Sequence, residues 1–133
     1  MRYKILDEEV IDTRTGLIWR GVTEDLTYTK ALEYAEHTSQ ETGQAWRVPT
    51  IDELASLADR SRCAPASCFP GMPARAFWSS SPFVGDTSYA WFVGFNYGVA
   101  DISLRGHYYA VWLVRDNLEK LISNQEPPGY ELE

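Results

Sequence analysis

The sequence predicts an α+β domain in which two helices pack on small antiparallel sheets joined by long loops. Three observations support this prediction. Trp91, Val93 and Phe95 alternate with less regular residues, which is the period-2 pattern of a strand that buries one face. Two earlier segments repeat apolar residues with helical spacing, and the 133-residue length suits a single core.

The first strands are predicted around a tight turn. Residues 10–12 and 17–19 are β-prone runs, Val-Ile-Asp and Leu-Ile-Trp, and the four residues between them end in Gly16. Because glycine readily takes the positive φ that such a turn requires, this stretch predicts a β-hairpin within residues 3–20.

Two helices follow, and each has its own start signal. Thr27 is a candidate N-cap for the first helix, which Gly43 is placed to end. The predicted buried stripe of this helix consists of Tyr28, Ala31, Leu32 and Ala35. In the second helix Thr50 and Glu53 form a capping box, in which each side chain satisfies a free backbone N–H. Its predicted buried residues are Leu54, Leu57 and Ala58.

Prolines, glycines and both cysteines crowd residues 60–77, which are predicted to form a long irregular loop. The later strands are predicted at Ala76–Trp78, Ala90–Phe95, Val99–Leu104 and Ala110–Val114. A short helix from Asn117 to Ile122 and a mobile acidic tail complete the predicted organisation. The sequence therefore predicts one domain over residues 1–116, with residues 117–133 appended to it.

Charge and hydropathy exclude two classes of partner. The net charge is −7 at a sequence pI near 4.8, without a cluster of Lys and Arg. Nucleic acids and anionic membranes both require a basic patch, so neither is a predicted partner.

The first residues lack a signal-peptide pattern, and no stretch approaches the roughly 18 apolar residues of a membrane helix. These features predict a cytoplasmic chain, unless it is trimmed from a longer secreted or surface protein.

The state of the two cysteines is left open. Cys63 and Cys68 are separated by four residues, and they either close a small disulfide loop or remain two reduced thiols. No metal or cofactor is predicted, because His37 and His107 are far apart in sequence and no second ligand pair accompanies the cysteines.

The sequence predicts a protein without catalytic activity. Ser79, Ser80 and Ser81 lack the Gly-x-Ser-x-Gly elbow of serine hydrolases. For His107, Asp101 is the one candidate carboxylate partner nearby in sequence. Neither arrangement supplies the nucleophile, base and orienting group that catalysis needs.

A recognition surface is the function that the late strands favour. Aromatic and polar residues without hydrophobic periodicity interrupt the strands, and Tyr, Trp and Asn are typical of adaptable binding surfaces. An ordinary exposed face of a β-rich domain is the alternative. The predicted ligand-binding residues, expected to share one exposed face, are Phe92, Asn96, Tyr97, Asp101, Ser103, Leu104, His107, Tyr108 and Trp112. Among them, the expected anchors are Tyr97, Tyr108 and Trp112, because binding energy concentrates in Tyr and Trp.

Four motifs in order support a family resemblance over about residues 7–116. They are Asp12…Thr15-Gly16-Leu17-Ile18-Trp19, Trp46-Arg47-Val48-Pro49-Thr50…Glu53-Leu54, Trp78-Ser79-Ser80 and Val111…Leu113-Val114-Arg115. With these motifs the chain resembles the domain family typified by the C-terminal domain of the Legionella collagen-like adhesin. The resemblance implies a C-type-lectin-like fold in its formylglycine-generating-enzyme variant. The cysteine pair of those enzymes lies late in the chain, where this sequence has none.

The resemblance also implies a function. A subset of the family serves as variable proteins of diversity-generating retroelements, in which ligand-facing positions vary on a constant scaffold. Residues 88–115 are similar to that scaffold, with the predicted binding residues between its constant positions. Neither a Glu-Pro-Asn nor a Gln-Pro-Asp motif is present, so the resemblance does not imply calcium-dependent sugar binding. The predicted function is recognition of a protein or glycan; the alternative is a structural module of a phage or secreted particle that assembles into oligomers.

Overall fold

The computed structural model describes residues 1–117, which form seven strands and two helices. The strands are β1 (Tyr3–Leu6), β2 (Glu9–Asp12), β3 (Leu17–Leu26), β4 (Ala76–Pro82), β5 (Tyr89–Gly94), β6 (Val99–Leu104) and β7 (Tyr109–Asp116). The helices are α1 (Tyr28–Thr42) and α2 (Ile51–Ala55). The acidic tail and all but the first residue of the predicted last helix lie outside the described residues. Neither helix of the described part is long and apolar enough to cross a membrane.

The strands form one mixed sheet with the order β1-β2-β3-β7-β4-β5-β6. All neighbouring pairs are antiparallel except β4 and β7, which run parallel and meet at Phe77 and Ala110. The α+β class is confirmed, whereas the prediction of small antiparallel sheets is wrong. The sheet becomes continuous because the long connection after β3 returns β4 to the side of β7, a pairing between residues distant in sequence.

The predicted N-terminal hairpin is present as β2 and β3, and an additional strand, β1, precedes it. β2 and β3 pair through the register Val10 to Trp19, and Gly16 takes a φ of 79° in the turn between them. β1 adds to the outer side of β2 through a second turn, in which Asp7 has a φ of 55°. Aspartate is among the few non-glycine residues that tolerate this conformation, so the tight β1–β2 turn is compatible with the sequence.

Both predicted helix starts are confirmed. The Thr27 hydroxyl accepts a hydrogen bond from the Lys30 amide, and Gly43 ends α1 with a φ of 72°. The buried residues of α1 are Tyr28, Ala31, Ala35 and Thr38. Leu32, predicted to be buried, is 39% exposed, because the stripe of α1 that touches the sheet is narrow. The capping box of α2 is present, with Leu54 and Leu57 buried and Ala58 half-buried.

Apolar side chains cover both faces of the sheet. One face carries α1 and a cluster that includes Trp46, Trp78, Val111 and Leu113. The opposite face carries α2, the loop after it and a cluster that consists mainly of Trp19, Leu54, Leu57, Phe69, Phe77, Val93, Phe95 and Val114. The central strands β7 and β4 thus bury residues on both faces, whereas β5 keeps half-buried positions and β6 keeps exposed ones.

Candidate functional site

Strands β5 and β6 divide the predicted binding residues by face. Phe92 and Asp101 are direct partners in the β5–β6 ladder, so their side chains lie on the same face. Val93, next along β5, points to the other face and is 1% exposed. Because the alternate residues of β5 are buried and fix that strand in the sheet, Phe92 and its partner Asp101 point to the outward face.

Four of the predicted residues line one open groove of about 330 Å³, which we call the Phe92 groove. Its lining consists of Ala74, Arg75, Ala76, Phe92, Gly94, Asn96, Tyr97, Val99 and Asp101. Tyr97 is 72% exposed in the turn between β5 and β6. Asp101 uses one carboxylate oxygen to accept a hydrogen bond from the Ile102 amide at 2.7 Å. The groove therefore combines aromatic surface with an exposed carboxylate and an exposed side-chain amide.

A polar network adjoins Phe92 at the start of β7. The ring of Tyr109 stacks on that of Phe92, with centroids 4.8 Å apart, and its hydroxyl donates to Ser103 Oγ at 3.0 Å. Ser103 Oγ also lies 3.0 Å from His107 Nδ1. These contacts hold the Phe92 ring in one orientation beside the groove. Ser103 is 6% exposed, so the prediction that it lies on an exposed face is wrong, because its hydroxyl is held beneath the surface by Tyr109 and His107.

The contact between Ser103 and His107 resembles, in its pair of side chains, the serine–histidine pair of a hydrolase. The imidazole of His107 contacts Ser103 Oγ and the ring of Tyr109, and neither of these partners is a carboxylate. A serine–histidine base requires an orienting group on its second nitrogen. The geometry thus supports a structural hydrogen-bond network among Ser103, His107 and Tyr109.

Leu104 and Trp112 do not lie with the other predicted residues. Leu104 pairs with Tyr89 on the face of β6 opposite to Asp101. Trp112 lies on the opposite face of the sheet, where its ring stacks on Phe77 with centroids 5.9 Å apart and contacts Phe69 edge-on with centroids 5.0 Å apart. The prediction that all nine residues share one exposed face is therefore wrong, because strand alternation sends these two side chains to the other side.

Trp112 borders a different groove of about 660 Å³ on that opposite face. Apolar residues from the N-terminal strands and from the loop before β4 form most of its wall, among them Ile5, Val10, Pro70 and Pro73. Tyr108, the other predicted anchor, is 68% exposed just before β7. Of the three predicted anchors, Tyr97 alone borders the Phe92 groove.

Two residues of this region escaped the sequence analysis. Arg75 lines the Phe92 groove and forms an ion pair with Asp25, and Tyr109 stacks on Phe92. Arg75 belongs to a loop without periodicity, so no local pattern indicates its direction. Tyr109 stands among the framework positions of β7, where alternation with buried Ala110 is the one available signal.

Charged residues near α2 have structural roles. Arg47 donates to both carboxylate oxygens of Glu53, at 2.6 and 2.9 Å, and to Asp116 at 3.3 Å. Burial alone would raise the pKa of Glu53, but hydrogen bonds from Arg47 and from the Thr50 amide outweigh it and lower that pKa. These contacts tie α2 to the end of β7 and leave Glu53 ionised and engaged.

The structure also reports on the cysteines and on metal binding. Cys63 and Cys68 are free and exposed in the loop after α2. Within residues 1–117, no group of three or more His, Cys, Asp or Glu side chains is arranged to hold a metal ion.

Comparison with known proteins agrees with the motifs. A search among curated proteins finds none that this chain matches. The family described as the Lcl C-terminal domain matches residues 8–115, which include β2 to β6, all of β7 but its last residue, both helices and the whole Phe92 groove. The chain therefore belongs to the Lcl C-terminal domain family.

Proposed function

We propose that this chain is a non-catalytic recognition domain that presents the Phe92 groove to a protein or a glycan. The carrying observation is that Phe92, Asn96, Tyr97 and Asp101, selected for their irregular pattern, line one open groove. Aromatic rings provide contact area, while the amide and carboxylate provide hydrogen bonds with a defined direction. Such a combination suits the ring faces and hydroxyls of a sugar as well as a peptide surface.

The surface is partly organised before a ligand arrives. Phe92 is stacked on Tyr109, and Tyr109 is held through its hydroxyl by Ser103. A ring that is already fixed loses little side-chain entropy on binding. Tyr97, by contrast, is 72% exposed and can adjust to the ligand. One fixed and one adaptable aromatic residue support a recognition role.

Family membership supports an adhesin-like role and the C-type-lectin-like fold that the motifs imply. A mixed sheet flanked by two helices is compatible with that fold. An adhesin-like domain acts at a cell surface or after secretion, so we infer such a location instead of the cytoplasm.

Diversification by a retroelement is consistent with the division of the late strands. Val93, Phe95 and Val111 are at most 1% exposed, while Asn96, Asp101 and His107 are exposed. Changes at the second set leave the core intact, as a variable protein requires. The neighbouring DNA tests this part of the proposal: a reverse transcriptase gene and a near-identical template repeat are expected, and their absence from the intact locus would contradict it.

Ligand binding is tested with labelled protein on arrays of defined glycans and of purified surface proteins. The double variant Tyr97→Ala, Asp101→Ala is expected to weaken binding to any member bound by the wild type by about tenfold or more, as hot-spot losses do. Val84→Ala is the matched control, since Val84 is 97% exposed outside the groove. A double variant that binds the same members as tightly as the wild type would exclude the groove as the site.

One observation favours the assembly alternative. β6 is an edge strand, and Val99 and Leu104 on it are 52% and 44% exposed. An exposed edge can pair with a strand of a second copy. Sedimentation at several concentrations separates the two functions, because a monomer at all concentrations contradicts self-assembly and leaves the recognition proposal unaffected.

A further inference from the structure

A polar cleft of about 500 Å³ lies apart from the Phe92 groove and is lined by three arginines, Arg2, Arg14 and Arg60. Val93 and Ala100 form part of its wall. Both point to the face opposite to Phe92 and Asp101, because they are the alternate residues of β5 and β6. We call this site the arginine cleft; it does not depend on the recognition function proposed above.

Two of the arginines converge on one backbone oxygen. The carbonyl oxygen of Ser56 accepts hydrogen bonds from Arg2 Nη2 at 3.0 Å and from Arg14 Nη2 at 3.2 Å. Arg2 also binds both carboxylate oxygens of Asp12, at 3.0 and 2.8 Å, and Asp12 is fully buried. The positive charge of Arg2 is therefore neutralised by the buried Asp12 carboxylate, whereas Arg14 has no carboxylate ion pair within residues 1–117.

The third arginine, Arg60, lines the same cleft and is held by a different carbonyl. Arg60 Nε donates to the carbonyl oxygen of Gly98 at 3.3 Å, which fixes the start of its guanidinium group. Gly98 and Arg60 are in close contact, since a Cβ on Gly98 would lie 3.4 Å from Arg60 Cγ. Arg60 uses only its Nε–H group in this hydrogen bond. Since an arginine has five N–H groups, the two terminal nitrogens keep donors that can bind a ligand.

Several other arginines are paired with carboxylates, whereas Arg14, Arg60 and Arg105 bind backbone carbonyl oxygens. Arg47, Arg75 and Arg115 each form an ion pair with a carboxylate. Within residues 1–117, Arg14 and Arg60 have hydrogen bonds to backbone carbonyls and no ion pair with a carboxylate. A chain of net charge −7 thus gathers uncompensated positive charge in one concave site.

The acidic residue that lines the cleft is already engaged. Asp59 accepts hydrogen bonds through one oxygen from the Ser61 amide at 3.0 Å and from the Ser61 hydroxyl at 2.5 Å. Its other oxygen lies 3.4 Å from Cys68 Sγ. Asp59 therefore offsets only part of the charge of three arginines, and its oxygens are directed to neighbours in its own loop.

We propose that the arginine cleft binds a carboxylate carried on a short aliphatic chain, as in a dicarboxylic acid or an acidic side chain. Guanidinium groups hold carboxylates through paired N–H donors, which Arg2 and Asp12 demonstrate in this fold. The accessible part of the remaining wall includes Ala55, Ala58 and Ala100, with buried Leu57 and Val93 behind them. This aliphatic surface suits methylene groups next to the carboxylate and provides nothing for a bare inorganic ion.

The test is a titration of the ¹⁵N-labelled chain with succinate and with its neutral analogue succinamide at constant ionic strength. Succinate is expected to produce saturable shifts in the Arg14 and Arg60 Nε–H resonances, and succinamide is not. Equal effects of the two compounds would overturn the proposal. Inorganic phosphate is the third probe, and phosphate binding as tight as that of succinate would overturn the assignment of an aliphatic carboxylate. A capped peptide with one glutamate then distinguishes an acidic side chain from a free dicarboxylic acid as the source.

Charge-removing variants test the residues themselves. Arg14→Gln with Arg60→Gln is expected to weaken succinate binding by about tenfold or more, because charge-assisted hydrogen bonds are lost. Lys4→Gln is the matched control, since Lys4 is an exposed cation on β1 outside the cleft. Thermal unfolding verifies that each variant is folded, and the single Arg60→Gln variant replaces the double one if the latter unfolds. If Lys4→Gln weakens succinate binding as much as the arginine variants do, the arginine cleft is not the binding site.

Discussion

Gly21 and Trp112 are direct partners across the β3–β7 ladder, and the missing side chain of Gly21 provides the space that the indole occupies. A Cβ on Gly21 would lie 2.8 Å from Cζ3 of the indole. With Phe77 stacked against it from β4, the Trp112 side chain is partly enclosed by its two neighbouring strands and is half-buried. This enclosure explains why Trp112 packs with the core.

Gly21→Ala is expected to destabilise the fold by about 1–3 kcal/mol, because the added methyl group forces the indole out of its position. Chemical denaturation measures the change in the free energy of unfolding. Gly106→Ala is the control, since nothing lies within 4 Å of a Cβ at that position and its φ is not in the left-handed region. Equal losses in both variants would show that the contact with Trp112 is not the cause.

Trp112 is half-buried against Phe69 and Phe77, so Trp112→Ala is expected to cost about 3 kcal/mol, the low end of the range for large buried aromatic residues. Tyr97→Ala is expected to cost less than about 1 kcal/mol, because Tyr97 is 72% exposed. Thermal and chemical unfolding of the two variants provide the comparison. The reverse order would mean that the packing of Trp112 against the core does not stabilise the fold more than exposed Tyr97 does.

Acid is expected to destabilise the protein through Asp12 and Glu53. Burial favours a raised pKa for Asp12, but hydrogen bonds from Arg2 and from the Arg14 amide outweigh it and lower that pKa. A carboxyl group with a lowered pKa stabilises the fold above its unfolded-state pKa, and this contribution is lost as the pH falls through the folded-state pKa.

Since unfolded Asp and Glu titrate near pH 4, the free energy of unfolding is expected to be nearly constant above about pH 5 and to decrease below about pH 4. Denaturation at a series of pH values measures this dependence. Asp12→Asn removes one contributing group, so its stability is expected to be lower at neutral pH and to fall less steeply in acid. An unchanged acid slope in Asp12→Asn would exclude Asp12 as a contributor.

Both cysteines are expected to react with a thiol reagent in the native protein, because Cys63 and Cys68 are free and exposed. Counting modified thiols without a reductant, together with the intact mass, measures their state. Cys68→Ser is expected to reduce the count by one. A mass lower by two hydrogens and no reactive thiol would demonstrate the disulfide that the sequence left open.

Features governed by neighbouring residues were predictable. The capping box of Thr50 and Glu53, the Thr27 cap and the turn at Gly16 all depend on hydrogen bonds or dihedral angles within a few positions. For the same reason, alternation along β5 correctly separated buried Val93 and Phe95 from outward Phe92. It also suggested a fully buried Trp91, which is instead half-buried against Phe83 at the outer part of the sheet.

Part of the candidate site could also be predicted. Asn96, Tyr97 and Asp101 were selected because they break the hydrophobic pattern of the late strands, and they line the Phe92 groove. Arg75 joins them from a loop that shows no periodicity, so its contribution depends on how that loop crosses the sheet. Leu104 and Trp112 share the irregular composition of the site residues, yet composition does not reveal on which face a residue points.

The sequence by itself determined the α+β class, the caps, the main turn and the family, because each depends on short segments or ordered motifs. Only the tertiary structure decided that β4 runs parallel to β7, that Trp112 packs over Gly21, and that Arg2, Arg14 and Arg60 surround one cleft. These contacts join residues tens of positions apart, and their geometry is set by strand pairing and packing across the whole sheet. A local pattern carries no information about such distances, so the two grooves and the arginine cleft become visible only in the folded chain.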